Sequence, residues 1–106
     1  MNESIVDDVA RALLEAAPPG SRVVLFGSYA RGTERPGSDL DFLVIEPVVQ
    51  DRFAEIFRLR KKVEAVLGDT VQPVDLVVTD ENQFRRSRTI PNTLAFEVAT
   101  TGRSYG

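Results

Sequence analysis

Residues 23–45 read VVLFGSYARGTERPGSDLDFLVI, and this stretch decides the fold. It opens on Val23-Val24-Leu25-Phe26, a short β-branched apolar run of the kind that forms a buried strand. Gly27-Ser28 interrupts the run, and Tyr29-Ala30-Arg31 fits a single turn of helix. Gly32 to Ser38 is rich in glycine, proline and polar side chains, so it loops over the surface. A second apolar run, Leu40 to Ile45, carries two aspartates at its start, Asp39 and Asp41. Any chemistry is expected where the two strands and the two punctuating loops converge.

Upstream, Asn2 or Ser4 caps a first helix expected to reach about Ala17, with Ile5, Val6, Val9, Ala10, Leu13 and Leu14 as its apolar stripe. Pro18-Pro19-Gly20 stops it. Strand one is expected over Arg22 to Phe26 and strand two over Leu40 to Ile45, ending before Pro47. Downstream, Asp51 is a candidate N-cap for the longest helix, which runs to Leu67 with Gly68 just beyond. Phe53, Ile56, Phe57, Val63, Val66 and Leu67 are its expected buried side, and Arg58, Lys61 and Lys62 a solvated one. Pro73 to Val78 is a third strand with Asp75 inside it, and Gln83 to Arg88 is polar and basic. Thr89 to Thr100 fits a last helix, with Pro91 in its first turn and Gly102 at its end, before a short tail. A long helix between strands two and three suits a crossover that makes them parallel. Strands one and two lack a connecting helix of that length and should run antiparallel. The expected fold class is α/β, a small mixed sheet with packed helices.

At 106 residues, with 42% hydrophobic and 27% charged side chains, the chain matches one ordinary globular domain. It has no apolar run near the ~20 residues that span a bilayer, and no signal peptide is visible at residues 1–11, so no membrane partner is expected and the cytoplasm is the expected compartment. The absence of cysteine excludes disulfides, thiol catalysis and thiolate metal sites, and the absence of histidine removes the usual general base. A net charge of −3 argues against direct binding of nucleic acid but is compatible with a small phosphorylated ligand. Carboxylates, hydroxyls and cations must carry whatever chemistry exists.

Side chains alternate along a strand, so Asp39 and Asp41 share a face, and Asp75 on a neighbouring strand can bring a third carboxylate to it. Three carboxylates without a lysine beside them repel unless a cation compensates, and hard oxygen ligands suit Mg²⁺ or Mn²⁺. Two such ions ~3.5–4 Å apart clamp the attacking and leaving oxygens of a phosphoryl transfer. The plainer alternative is that these are strand-end and turn residues, Asp39 merely closing the Pro36-Gly37-Ser38 turn. The apolar remainder of the strand and the preceding Gly-Ser favour the metal reading. Gly27 lets the backbone approach a phosphate, and Ser28 adds a hydroxyl donor, although Ser28 also suits a simple N-cap. Gly27 to Gly32 has P-loop spacing, but Thr33-Glu34 follow where that motif has Lys-Ser/Thr, which excludes it. A covalent role for Ser28 is excluded because no histidine exists to activate it.

Gly27-Ser28, ten intervening residues, then Asp39-Leu40-Asp41 resembles the signature of the polymerase-β-like nucleotidyltransferase superfamily. The surrounding GSYARGTERPGSDLDFLV is similar to its minimal nucleotidyltransferase (MNT) branch, the antitoxin of HEPN/MNT toxin–antitoxin pairs. The resemblance extends over nearly the whole chain, residues 1–106 as a single minimal nucleotidyltransferase domain, and includes Val74-Asp75-Leu76-Val77, where the family has its third metal carboxylate. It implies the polymerase-β-like nucleotidyltransferase fold and ATP as substrate. It also implies two Mg²⁺ or Mn²⁺ ions at Asp39, Asp41 and Asp75, and a triphosphate held by Gly27 and Ser28. Arg31 matches an arginine common in the branch; it either holds phosphate or pairs with Glu34 or another carboxylate on the surface. The implied activity is transfer of AMP to a tyrosine of a partner HEPN ribonuclease toxin, with Asp75 accepting the hydroxyl proton.

Two other functions compete. One is a binding module that neutralises its partner by occlusion alone, using leftover apolar residues of the last helix, which otherwise serve the core. The other is nucleotidyl transfer to a small molecule such as an aminoglycoside, against which the lack of a second acceptor-binding domain counts. Whether Arg85, Arg86 and Arg88 face ATP, a partner or water is left open by the sequence.

Overall fold

The computed structural model describes residues 3–105. The apolar run over residues 22–26, expected as a strand, forms β1 (Arg22–Phe26), buried from Val23 onward. β2 (Leu40–Glu46) pairs with it antiparallel, Val24 opposite Leu43 and Phe26 opposite Asp41. α3 (Arg52–Leu67) crosses over to β3 (Val74–Asp80), which lies parallel to β2 with Asp75 opposite Asp41. A three-residue strand, β4 (Arg103–Tyr105), closes the other edge against β1, so the order is β3-β2-β1-β4. The mixed sheet is the one expected; β4, expected only as a tail, is its addition.

The two faces of the sheet are covered differently. On one, α1 (Glu3–Ala16) and α3 pack over Val23, Leu25, Leu40, Phe42 and Val44 to form the larger core. On the other, Val24, Phe26, Leu43 and Ile45 are covered by Phe84 of α4 (Glu81–Ser87) and by Leu94, Ala95 and Val98 of α5 (Leu94–Thr101).

Local signals explain most element ends. The Asp51 side chain accepts from the Ala54 amide at 3.1 Å, capping α3 as expected. Ser4 lies within α1 rather than capping it, and Asn2 lies outside the described residues. The buried stripe of α3 is rotated from the expected one: Leu59 and Val63 are buried, with Ile56 and Leu67 beside them, whereas Phe53 and Phe57 are 84% and 63% exposed and Val66 is exposed too. The helix contains two apolar stripes, and the one at 56–59–63–67 is continued through four positions spaced by three or four residues, so it buries more aliphatic area. The Lys61 ammonium lies 4.8 Å from the centre of the exposed Phe57 ring.

α5 starts at Leu94, not near Thr89, because Asn92 takes a left-handed φ of 68° and breaks any helical run from Pro91. Thr93 then caps the helix, its hydroxyl accepting from the Phe96 amide at 3.1 Å. α4 was expected only as a polar and basic stretch. Asp80 caps it through the Gln83 amide at 2.8 Å. No helix of the described residues is long and apolar enough to cross a membrane.

Candidate active site

The turn between β1 and α2 (Ser28–Arg31) is built on Gly27, with φ 77° and ψ −156°, a conformation open essentially to glycine. Gly27, not Ser28, is the capping residue of α2, and no side chain caps it. Ser28 is the first helical residue and is partly exposed. Asp41 lies beside Gly27 so closely that its Oδ2 fills the place a Cβ would take there. Residues separated by thirteen positions of mostly loop are thus in direct apposition.

The loop before β2 is fixed by its own hydrogen bonds. The Arg35 amide donates to Ser38 Oγ and the Ser38 amide to the Arg35 carbonyl, both at 2.9 Å. Gln72 Nε2 then donates to the Ser38 carbonyl at 3.0 Å, tying the loop to the chain entering β3. Asp39 therefore leaves that loop next to the start of β3. Asp41 and Asp75 stand opposite one another in the parallel register, on the face that also carries Leu43 and Val77.

Asp41 is half-buried, and its carboxyl is pushed up to about 6. Burial is the largest cause, followed by the negative charges of Asp75, Asp39 and Glu97, with Arg31 pulling the other way. Asp39 and Asp75 therefore both act on Asp41. Glu97 joins them from α5, where no sequence pattern marked it. Arg31 is held there by Glu97, Nη1 to Oε2 at 2.8 Å, rather than by Glu34.

Arg85, Arg86 and Arg22 are engaged elsewhere. Arg85 lies 3.9 Å from Glu81, and Arg86 donates to Gln83 at 2.9 Å, so both turn back on their own helix at the surface. Arg22 pairs with Glu81 through two contacts of 3.0 and 3.1 Å.

The donor set at Asp39, Asp41 and Asp75 fits a hard divalent cation: all-oxygen, anionic, and under mutual repulsion that a cation relieves. Among the described residues no three acidic side chains converge tightly enough to hold an ion as they stand. The carboxylates are adjacent rather than preassembled.

Compared with known families, residues 6–96 match the nucleotidyltransferase domain. The chain belongs to the nucleotidyltransferase domain family. Solved structures place this domain beside toxin–antitoxin proteins. A toxin–antitoxin structure with AMP-PNP is 26% identical over 94% of this chain and 72% of the other, with a TM-score of 0.64. A mutant of the MntA–HpeT toxin–antitoxin has the same identity and coverage, with a TM-score of 0.65. The MNT complex with a tri-AMPylated HEPN toxin of Shewanella oneidensis is 24% identical over 100% of this chain and 73% of the other, with a TM-score of 0.62, and shares the fold. No curated protein matches the chain.

Among the described residues of this nucleotidyltransferase domain, the four-stranded mixed sheet and its five helices are the polymerase-β-like arrangement expected from the sequence.

Proposed function

We propose that this domain is the cytoplasmic antitoxin of a toxin–antitoxin pair and transfers AMP from ATP to a tyrosine hydroxyl of its partner, a HEPN ribonuclease. The observation that carries the reading is the apposition of Asp41 and Gly27, which joins the glycine-serine turn to the carboxylates as one site. The 26% identity to a toxin–antitoxin structure with AMP-PNP supports the partner and the nucleotide.

Asp39, Asp41 and Asp75 would hold Mg²⁺ or Mn²⁺, which would supply charge neutralisation at the α-phosphate and the departing pyrophosphate. Gly27, which carries no side chain of its own, lets the triphosphate approach the backbone of the turn beside the Asp41 carboxylate. The Ser28 hydroxyl and the Arg31 guanidinium donate to phosphate oxygens, with Glu97 holding Arg31 beside the site. Asp75, exposed at the edge strand, accepts the proton of the attacking hydroxyl. The new bond joins the tyrosine oxygen to the α-phosphorus, and the bond to the bridging oxygen of pyrophosphate breaks.

The test is the intact mass of the protein that co-purifies with this one, before and after Mg²⁺-ATP. A gain in units of AMP is expected, and none with the Asp39→Asn, Asp41→Asn double variant. A partner that binds, never gains mass and still has its ribonuclease blocked overturns catalysis in favour of occlusion.

A further inference from the structure

The face of the sheet that carries the carboxylates also carries a cavity. Side chains two positions apart on a strand share a face, so Leu43 follows Asp41 and Val77 follows Asp75, each ~7 Å further along. Leu43 and Val77 line a cavity of about 370 Å³ together with Phe84 of α4 and Leu94 and Ala95 of α5. Small-molecule sites have volumes of ~300–1,000 Å³ and mostly apolar walls, and this cavity has both. Leu43 and Phe84 are buried, but Val77, Leu94 and Ala95 are partly exposed, and Asp75 is exposed. A group entering the cavity therefore meets accessible aliphatic side chains, two strand positions from an accessible carboxylate.

The order of the strands decides which substrate takes it. β2 lies between β1 and β3, so Asp41 has neighbours on two sides. On one is the end of β1, with Phe26 opposite it and the Gly27-Ser28 turn beside it; on the other is Asp75. The sheet residues of the cavity come from β2 and β3, the Asp75 side. Transfer at phosphorus sets the attacking and leaving oxygens roughly in line, on opposite sides of the reacting atom. With the pyrophosphate departing toward Gly27 and Ser28, the attacking oxygen arrives from the side of β3, where Asp75 and the cavity lie.

We propose that this cavity is the subsite for the aromatic ring of the acceptor, with a phenol lying against Val77, Leu94 and Ala95 and its hydroxyl pointing back along β3 to Asp75. The assignment rests on the AMP-transfer reading above and adds to it the residues that select the acceptor. Tyrosine pairs an apolar body with a polar tip, which matches aliphatic walls beside a carboxylate. A serine or threonine hydroxyl brings no ring to cover those walls, so the cavity favours tyrosine. In the step itself the phenol oxygen bonds to the α-phosphorus, its proton passes to Asp75, and the bond to pyrophosphate breaks on the side of Gly27 and Ser28.

The test follows the ¹³C-labelled methyls of the full chain by NMR during separate titrations with N-acetyl-tyrosine amide, N-acetyl-serine amide and AMP. A saturable shift of Val77, Leu94 and Ala95 is expected with the tyrosine derivative alone. Ala95→Leu, which narrows the cavity, should abolish that shift. With the co-purifying partner as acceptor it should also raise KM for the partner about tenfold and leave KM for ATP unchanged. If that variant does not fold, Val77→Thr, which sets a hydroxyl in the cavity at nearly constant shape, should weaken binding of the tyrosine derivative in the same way. No saturable shift with the tyrosine derivative overturns the proposal, as does an equal shift with the serine derivative or one undiminished in the folded cavity variant. A saturable shift of the same methyls by AMP also overturns it, by giving the cavity to the nucleobase. The two readings fail separately. A parent chain that adds AMP to its partner, with KM for the partner unchanged by the cavity variant, removes only the subsite; a partner that never gains AMP removes the transfer reading and the subsite with it.

Discussion

Asp41 occupies with its carboxylate the space that a side chain at Gly27 would need. Gly27 also has φ 77°, where an L-residue is strained whatever the space. Gly27→Ala therefore meets two penalties together and is expected to lower stability by about 2–4 kcal/mol. Urea unfolding at neutral pH measures it. Under the proposed function the variant should also lose AMP transfer, because the methyl displaces the carboxylate from the turn.

Asp41 is held at about 6 in the fold against an ordinary 3.8. A carboxyl raised in the folded state favours folding fully below about pH 3.8, and that contribution is lost as pH rises through about 6. At pH 7 the ion-free protein therefore carries an unfavourable charge that Asp41→Asn removes. The variant should be more stable than the parent by on the order of 1 kcal/mol at pH 7, after allowing for solvent screening of a half-buried group, and no more stable near pH 3.5. Thermal unfolding at the two pH values checks this; equal differences at both would mean that the charge of Asp41 is not the source of the strain.

Arg31 and Glu97 form an ion pair that is more than a third exposed on both sides, so its removal should change stability by less than about 1 kcal/mol. Its electrostatic effect on the site has a definite sign. Arg31→Ala removes the charge that lowers the Asp41 carboxyl and should raise it further, whereas Glu97→Gln removes a charge that raises it and should let it fall. NMR titration of Asp41 in the two variants reads both directions. Under the proposed function Arg31→Ala also raises KM for ATP, with kcat less affected.

What the sequence displayed and what it concealed have separate physical reasons. Arg22 to Phe26 was legible as a strand because glycines stand close on either side of a β-branched run. The three aspartates were legible because β2 and β3 align Asp41 with Asp75 through an ordinary crossover. Arg103-Ser104-Tyr105 has no strand pattern of its own and becomes β4 only by pairing with β1. α4 was missed: Asp80, three residues before Gln83, has the spacing of a helix cap, but residues 83–88 show only polar and basic character. Glu97 had no such signal: its place beside Asp41 follows from how α5 packs, which spacing along the chain does not encode.

The two apolar stripes of α3 give the last prediction, because each fits helical spacing and only packing chose between them. Phe53 is 84% exposed, so Phe53→Ser should change stability by less than about 0.5 kcal/mol. Leu59 is fully buried between α1 and the sheet, and Leu59→Ala should lower stability by about 2–5 kcal/mol. Parallel urea unfolding of the two variants settles which stripe faces inward. A large loss from Phe53→Ser would show that this aromatic is covered in solution, and gel filtration of the unmutated chain would then reveal whether a second copy does the covering.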